Sequence, residues 1–170
     1  MNRSLPILCS CFAGALAAAV SAGVAGEPGS EAWNAKRAEL FSDVCMAAAP
    51  DYAALDALAE KAGMQKQDGV WVSEPDIVVN LMAHDGFCDC FMSVRAPDPG
   101  AMVDKIFDQL MVDYGDAFTG KPDGLANVAP FQRDGVEVVS ILEPEDHDDG
   151  KWILARAAVY GACPEAEVRE

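Results

Sequence analysis

From residue 31 onward the apolar positions fall at helical spacing. Phe41, Val44, Cys45 and Ala48 share one face, with Trp33 two turns earlier on roughly the same side. Pro50 stops this helix. Asp51 is placed to cap a second one, with Tyr52, Leu55, Leu58, Ala59 and Ala62 as its stripe and Gly63 closing it. The period then drops to two. Residues 69–72 are short and β-prone, and Pro75 breaks them. In 77–83, Ile77, Val79, Leu81 and Ala83 fall on one side and Val78, Asn80 and Met82 on the other. A short helix capped by Asp76 competes for this stretch, but its β-branched content favours a strand. Asp85-Gly86 is a strong two-residue hairpin signal, and its partner strand is 87–95.

Helical spacing returns after Asp98-Pro99, an N-cap followed by proline at the first helical position, where a missing amide costs nothing. Met102, Val103, Ile106, Phe107, Leu110, Met111 and Tyr114 form a continuous stripe that Gly115 ends. Residues 116–135, with Gly120, Pro122, Gly124 and Pro130, read as a long loop, a kind of segment that in small domains carries function or moves. Strands near 136–142 and 152–160 follow, joined by an acidic loop at 143–150. The order α-α-β-β-β-α-β-β predicts an α+β domain with a mainly antiparallel sheet and helices packed on one face.

The first residues change the picture of the chain's surroundings. Met1-Asn2-Arg3, an apolar run from Leu5 to Val20 and small residues at Ser21, Ala22, Gly23 and Ala25 have the layout of a secretory signal peptide. Cleavage after Ala22 or after Ala25 fits. The run is short for a membrane span, which needs roughly 20 apolar residues. The expected organisation is a cleaved signal at 1–25, a flexible leader at 26–30, one domain at 31–164 and a polar tail at 165–170. Export would place the protein in the periplasm of a diderm bacterium, or otherwise outside the cell, with no stable membrane insertion after cleavage.

Removing Arg3 with the signal takes the net charge from −16 to −17. That polyanion is unsuited to nucleic acid or to an anionic membrane surface. Processing also removes Cys9 and Cys11 and leaves Cys45, Cys88, Cys90 and Cys163. Four cysteines in an exported domain suggest two disulfides. Alternation puts Cys88 and Cys90 on the same side of their strand as Met92 and Val94, facing the helices. Neighbours at i and i+2 are poorly placed to bond each other. If the last strand runs antiparallel beside 87–95, the pairing expected is Cys45–Cys90 and Cys88–Cys163.

Other chemistry is thinly signalled. Cys88 and Cys90 with His84 form an alternative soft-metal site for Cu(I) or Zn²⁺, although the spacing is not a standard zinc pattern. Glu145, Asp146, Asp148 and Asp149 have the oxygens for Ca²⁺, but the EF-hand pattern fails. His84, beside the Asp85-Gly86 turn and expected to be exposed, is the only anchor for a hydrolase reading, and no nucleophile motif accompanies it. No cofactor motif occurs. Glu74 and Asp85 read as surface residues.

The stronger signal is the sheet side away from the cysteines. It is expected to carry Phe87, Phe91, Arg95, Trp152, Arg156 and Tyr160, the aromatic and arginine composition of an interface. Asp89 shares that side. The functional expectation is a non-enzymatic binding or interaction module for a protein or small ligand, or a homodimer formed through this face. The competing expectation is that the 116–135 loop covers it.

Overall fold

The computed structural model describes residues 26–74, 76–119 and 128–161. Three α-helices, α1 (Glu31–Phe41), α2 (Leu55–Lys61) and α3 (Pro99–Tyr114), accompany seven strands. These are β1 (Gln65–Gln67), β2 (Val70–Val72), β3 (Ile77–His84), β4 (Phe87–Arg95), β5 (Val128–Arg133), β6 (Val136–His147) and β7 (Gly150–Tyr160). All pair antiparallel in one sheet of order β1-β2-β3-β4-β7-β6-β5. The α+β architecture is the one the hydrophobic pattern implies. The expected signal peptide at 1–25, Cys163 and the tail at 165–170 lie outside the described residues.

Local chemistry sets most element ends. Residues 27–30 form a turn, and the Ser30 hydroxyl accepts from Trp33 N to cap α1. Asp98 caps α3 by accepting from Ala101 N at 3.1 Å, with Pro99 at the first helical position. His84 pairs with Phe87 across the Asp85-Gly86 turn, and Gly86 adopts φ +87°, which costs a side-chain-free residue nothing.

Four expectations need correction. The second helix begins at Leu55, because Tyr52 takes φ +56° and leaves the helix; Asp51 instead accepts from Ala53 N. The order gains β1, whose Gln-Lys-Gln residues are all exposed and carry no apolar alternation. It also gains β5 inside the expected loop. Pro130 argued against a strand there, but β5 is the sheet's last strand, where proline is tolerated. Finally, the acidic stretch is not a loop: Glu143 to His147 continue β6 and pair with the first residues of β7.

The helices cover one face of the sheet. Met102, Val103, Ile106 and Leu110 of α3 are buried there, with Phe41, Val44, Met92, Val94, Leu142, Ile153 and Ala155. Burial of a side chain of this size contributes about 1.5–3 kcal/mol. After Phe41 the first helix widens into a single π-helical segment, Ser42–Met46, which carries Cys45. Cys45 is bonded to Cys90 of β4, with Cα atoms 5.2 Å apart. This is the first of the two expected bridges. Cys88 is also disulfide-bonded; its expected partner, Cys163, lies outside the described residues.

Two polar anchors reinforce the staple. The Tyr52 hydroxyl donates to Ala157 O at 2.5 Å, joining the turn after Ala49 to the centre of β7. Arg37, 1% exposed, stacks on the Trp33 ring at 3.4 Å and donates through Nη2 to Glu74 and Asp76. Glu74, expected at the surface, is thereby part of the α1–sheet junction, and Lys36 bonds it as well at 3.0 Å.

Candidate functional site

The pairing register collects the predicted face residues. Phe87 lies opposite Tyr160, Phe91 opposite Arg156, and Arg95 opposite Trp152, so all six form three cross-strand pairs on the β4–β7 face away from the helices. Met82 of β3 and Val139 and Ile141 of β6 belong to the same face by register. None of the described helices lies on that side. The segment Gly115–Ala117 and Phe118 pack on the helix side, where Phe118 bridges to Phe131. That part of the expected 116–135 loop therefore does not cover the open face; residues 120–127 lie outside the described residues.

Asp89 is the centre of the face. It points away from the helices, yet it is 0% exposed. The reason is its neighbours. Its directly opposed partner on β7 is Ala158, which is too small to cover it, so the longer diagonal side chains lean across. His84 Nε2 lies 2.9 Å from Asp89 Oδ1, and Arg156 Nη1 donates to Oδ2 at 2.6 Å. Arg156 Nε also donates to Glu143 at 2.8 Å. Burial pulls the Arg156 guanidinium down, but its hydrogen bonds to Asp89 and Glu143, and their charges, outweigh that and hold it above its ordinary value. The His84 ring stacks almost parallel on Phe87, with centroids 4.2 Å apart. The arrangement is a desolvated carboxylate clamped between an imidazole and a guanidinium within an aromatic surround.

A second polar group closes the end of the face. Arg95 pairs with Asp149 at 2.8 Å, and Trp152 Nε1 donates to the same carboxylate at 3.0 Å. The hydrogen bond from Trp152, and then the charge of Arg95, hold the Asp149 carboxyl below its usual range against the small cost of desolvation. His147 bonds Glu145 at 3.0 Å and meets the edge of the Trp152 ring. The acidic residues read as Ca²⁺ ligands are thus partly used in pairing. Among the described residues no group of three or more His, Cys, Asp or Glu side chains is set to hold a metal ion.

The soft-metal alternative fails on geometry. Cys90 is committed to Cys45, and Cys88 and Cys90 lie on the buried helix side while His84 lies on the other face. The three side chains do not converge. His84 is also not an exposed turn residue: it is 28% exposed and bonded to Asp89. Ser93, on the same side of β4, lies four residues from Asp89, about 13 Å along a strand, so it is no nucleophile for that pair.

Asp89, His84 and Glu143 complete the cluster beyond the six predicted residues. Alternation already placed Asp89 on the open side; its burial follows only from which side chains lie diagonal to it. On the helix side, Met46, Tyr114, Ala117, Phe131, Gln132, Arg133 and Val138 line a mainly apolar cavity of about 180 Å³. Arg133 crosses it, donating to Met46 O and lying over the Tyr114 ring. Among the described residues, no helix is long and apolar enough to cross a membrane. Compared with known proteins, the chain matches no family model, no curated protein and no solved structure.

Proposed function

We propose that this chain is an exported, disulfide-stapled binding module, not an enzyme, that docks a partner on the helix-free face of its sheet. The observation that carries the reading is the union of three aromatic- and arginine-bearing cross-strand pairs around a fully buried Asp89 on a face that no described helix covers. Large apolar side chains point the same way. Among the described residues Met82, Val128 and Tyr160 are three of the five large hydrophobics left exposed, and all three lie on this face. Aromatic residues, paired guanidinium groups and a desolvated centre spread over an open sheet face have the composition of a protein interface. The signal-peptide pattern of residues 1–25 and the disulfides support an oxidising, extracytoplasmic compartment, the periplasm in a diderm bacterium.

Hydroxyl-radical footprinting tests the docking surface. The mature protein is labelled once in its native compartment and once purified and dilute. Met82, Trp152 and Tyr160 are expected to be protected in the native compartment, while Met111, exposed on the outer side of α3, is labelled equally in both. Equal labelling of all four removes the reading.

A further inference from the structure

We infer that the cavity on the helix side of the sheet is a binding site for a small organic carboxylate with an aromatic or branched apolar body, held by Arg133. It is separate from the docking face and does not depend on it.

Size and lining set the body of the ligand. The cavity holds about 180 Å³, and Met46, Phe131 and Val138 form its buried floor. Half-buried Tyr114, Ala117 and Arg133 and exposed Gln132 complete the lining, so the cavity opens to solvent. An apolar cavity of about 150 Å³ accepts benzene. This one offers two rings, Tyr114 and Phe131, set edge to face with centroids 6.3 Å apart. A single ring, or a branched chain of similar size, fills it.

Arg133 sets the head group. The other described arginines each meet a carboxylate: Arg37 meets Glu74 and Asp76, Arg95 meets Asp149, and Arg156 meets Asp89 and Glu143. Among the described residues Arg133 meets none, in a chain with 28 acidic residues against 12 Lys and Arg. Its Nη1 donates to the Met46 carbonyl, because Pro50, four residues on, has no amide to serve that oxygen. Met46 ends the π-helical segment Ser42–Met46, a local widening of the kind that recurs at functional sites. The guanidinium also lies over the Tyr114 ring at 5.8 Å. One arm of it is therefore fixed. Nε and Nη2 make no hydrogen bond among the described residues, and that edge matches the two oxygens of a carboxylate. Fixing the donor beforehand lowers the ordering cost of binding. The chain's net negative charge does not forbid an anion here, since at physiological salt charges beyond about 8 Å are largely screened.

NMR titration of the mature oxidised chain, followed at the Met46 methyl group, decides it. The probes are benzoate and benzamide, which share a shape and differ in charge, on wild type, Arg133→Met and Ala117→Phe. Benzoate is expected to bind wild type with a Kd of about 1 mM or tighter, and benzamide about tenfold more weakly. Arg133→Met should weaken benzoate to the level of benzamide and leave benzamide unchanged. Ala117→Phe, which fills the cavity with Arg133 in place, should abolish both. Arg133→Met also loses the bond to Met46, so far-UV circular dichroism checks its fold; if it unfolds, the benzamide comparison and Ala117→Phe still decide. Absence of benzoate binding up to about 10 mM overturns the inference. So does benzoate binding no tighter than benzamide, or benzoate binding that Ala117→Phe leaves unchanged.

Discussion

Replacing Asp89 with asparagine keeps the side chain's shape and removes the charge that draws His84 and Arg156 over it. The wild-type carboxylate is fully buried and takes a 2.6 Å bond from Arg156. A charge-assisted bond of this kind contributes about 1.5–3 kcal/mol, and breaking a buried ion pair costs about 3–5 kcal/mol. Arg156 is 23% exposed and keeps Glu143 at 2.8 Å, so water and a second carboxylate recover part of the loss. The expected cost of Asp89→Asn is therefore about 2–3 kcal/mol. Urea unfolding of wild type, Asp89→Asn, Arg156→Met and the double variant measures it. With a slope of about 1.5 kcal/mol/M, the Asp89→Asn midpoint falls by roughly 1.3–2 M at unchanged slope. The double variant should cost less than the sum of the singles by about 2 kcal/mol, because removing one partner already forfeits the pair. A midpoint shift under about 0.3 M, or strictly additive costs, would refute the claim that this ion pair organises the face.

Three further outcomes are expected. Tyr52→Phe leaves the Ala157 carbonyl without the phenol donor in a buried setting, at about 1–3 kcal/mol in the same unfolding assay. Burial pushes the Tyr52 phenol above its ordinary value, so the phenol contributes stability below about pH 10 that is lost as pH rises beyond it; Tyr52→Phe should flatten that alkaline loss. Hydrogen bonds from Lys36 and then Arg37, with their charges, hold the Glu74 carboxyl below its usual range despite the opposing effect of burial, so its contribution is present above about pH 4.5 and fades as pH falls through the lowered value. Glu74→Gln should reduce the acid dependence of the urea midpoint between about pH 5 and 3, and an unchanged slope would contradict the assignment. The Cys45–Cys90 bridge closes a separation of 45 residues, for which chain-entropy reasoning gives about 4 kcal/mol. Cys45→Ala with Cys90→Ala should lower stability by close to that amount, and a cost under about 1 kcal/mol would show that packing alone holds the first helix to β4.

The fold was legible wherever one physical signal dominated. Asp98-Pro99 followed by a seven-residue apolar stripe placed α3 to the residue. Asp85-Gly86 between alternating runs placed the β3–β4 hairpin and its register. The strands that escaped reading lack such a signal. β1 is three exposed polar residues held by pairing to β2, and β5 carries a proline that only its edge position excuses. Asp51 has the residue type of a helix cap, but Tyr52 takes a positive φ and donates its hydroxyl to β7, so the second helix begins only at Leu55.

The same division holds for the site. Period-two alternation by itself determined that Cys88 and Cys90 face the helices and that Phe87, Asp89 and Phe91 face away, because successive strand side chains point to opposite sides. It put both cysteines within reach of Cys45 on its helical stripe; the choice of Cys90 depended on a last strand running antiparallel beside β4, which the sheet provides. Tertiary structure decided what Asp89 is. A carboxylate on an open sheet face would ordinarily be hydrated; this one is buried because the β4–β7 register sets a small alanine opposite it and brings Arg156 over it from one diagonal, while the β3–β4 hairpin brings His84 from the other. The Asp85-Gly86 turn fixes the β3–β4 register locally, but the β4–β7 register joins strands far apart in the chain, and no single stretch encodes it.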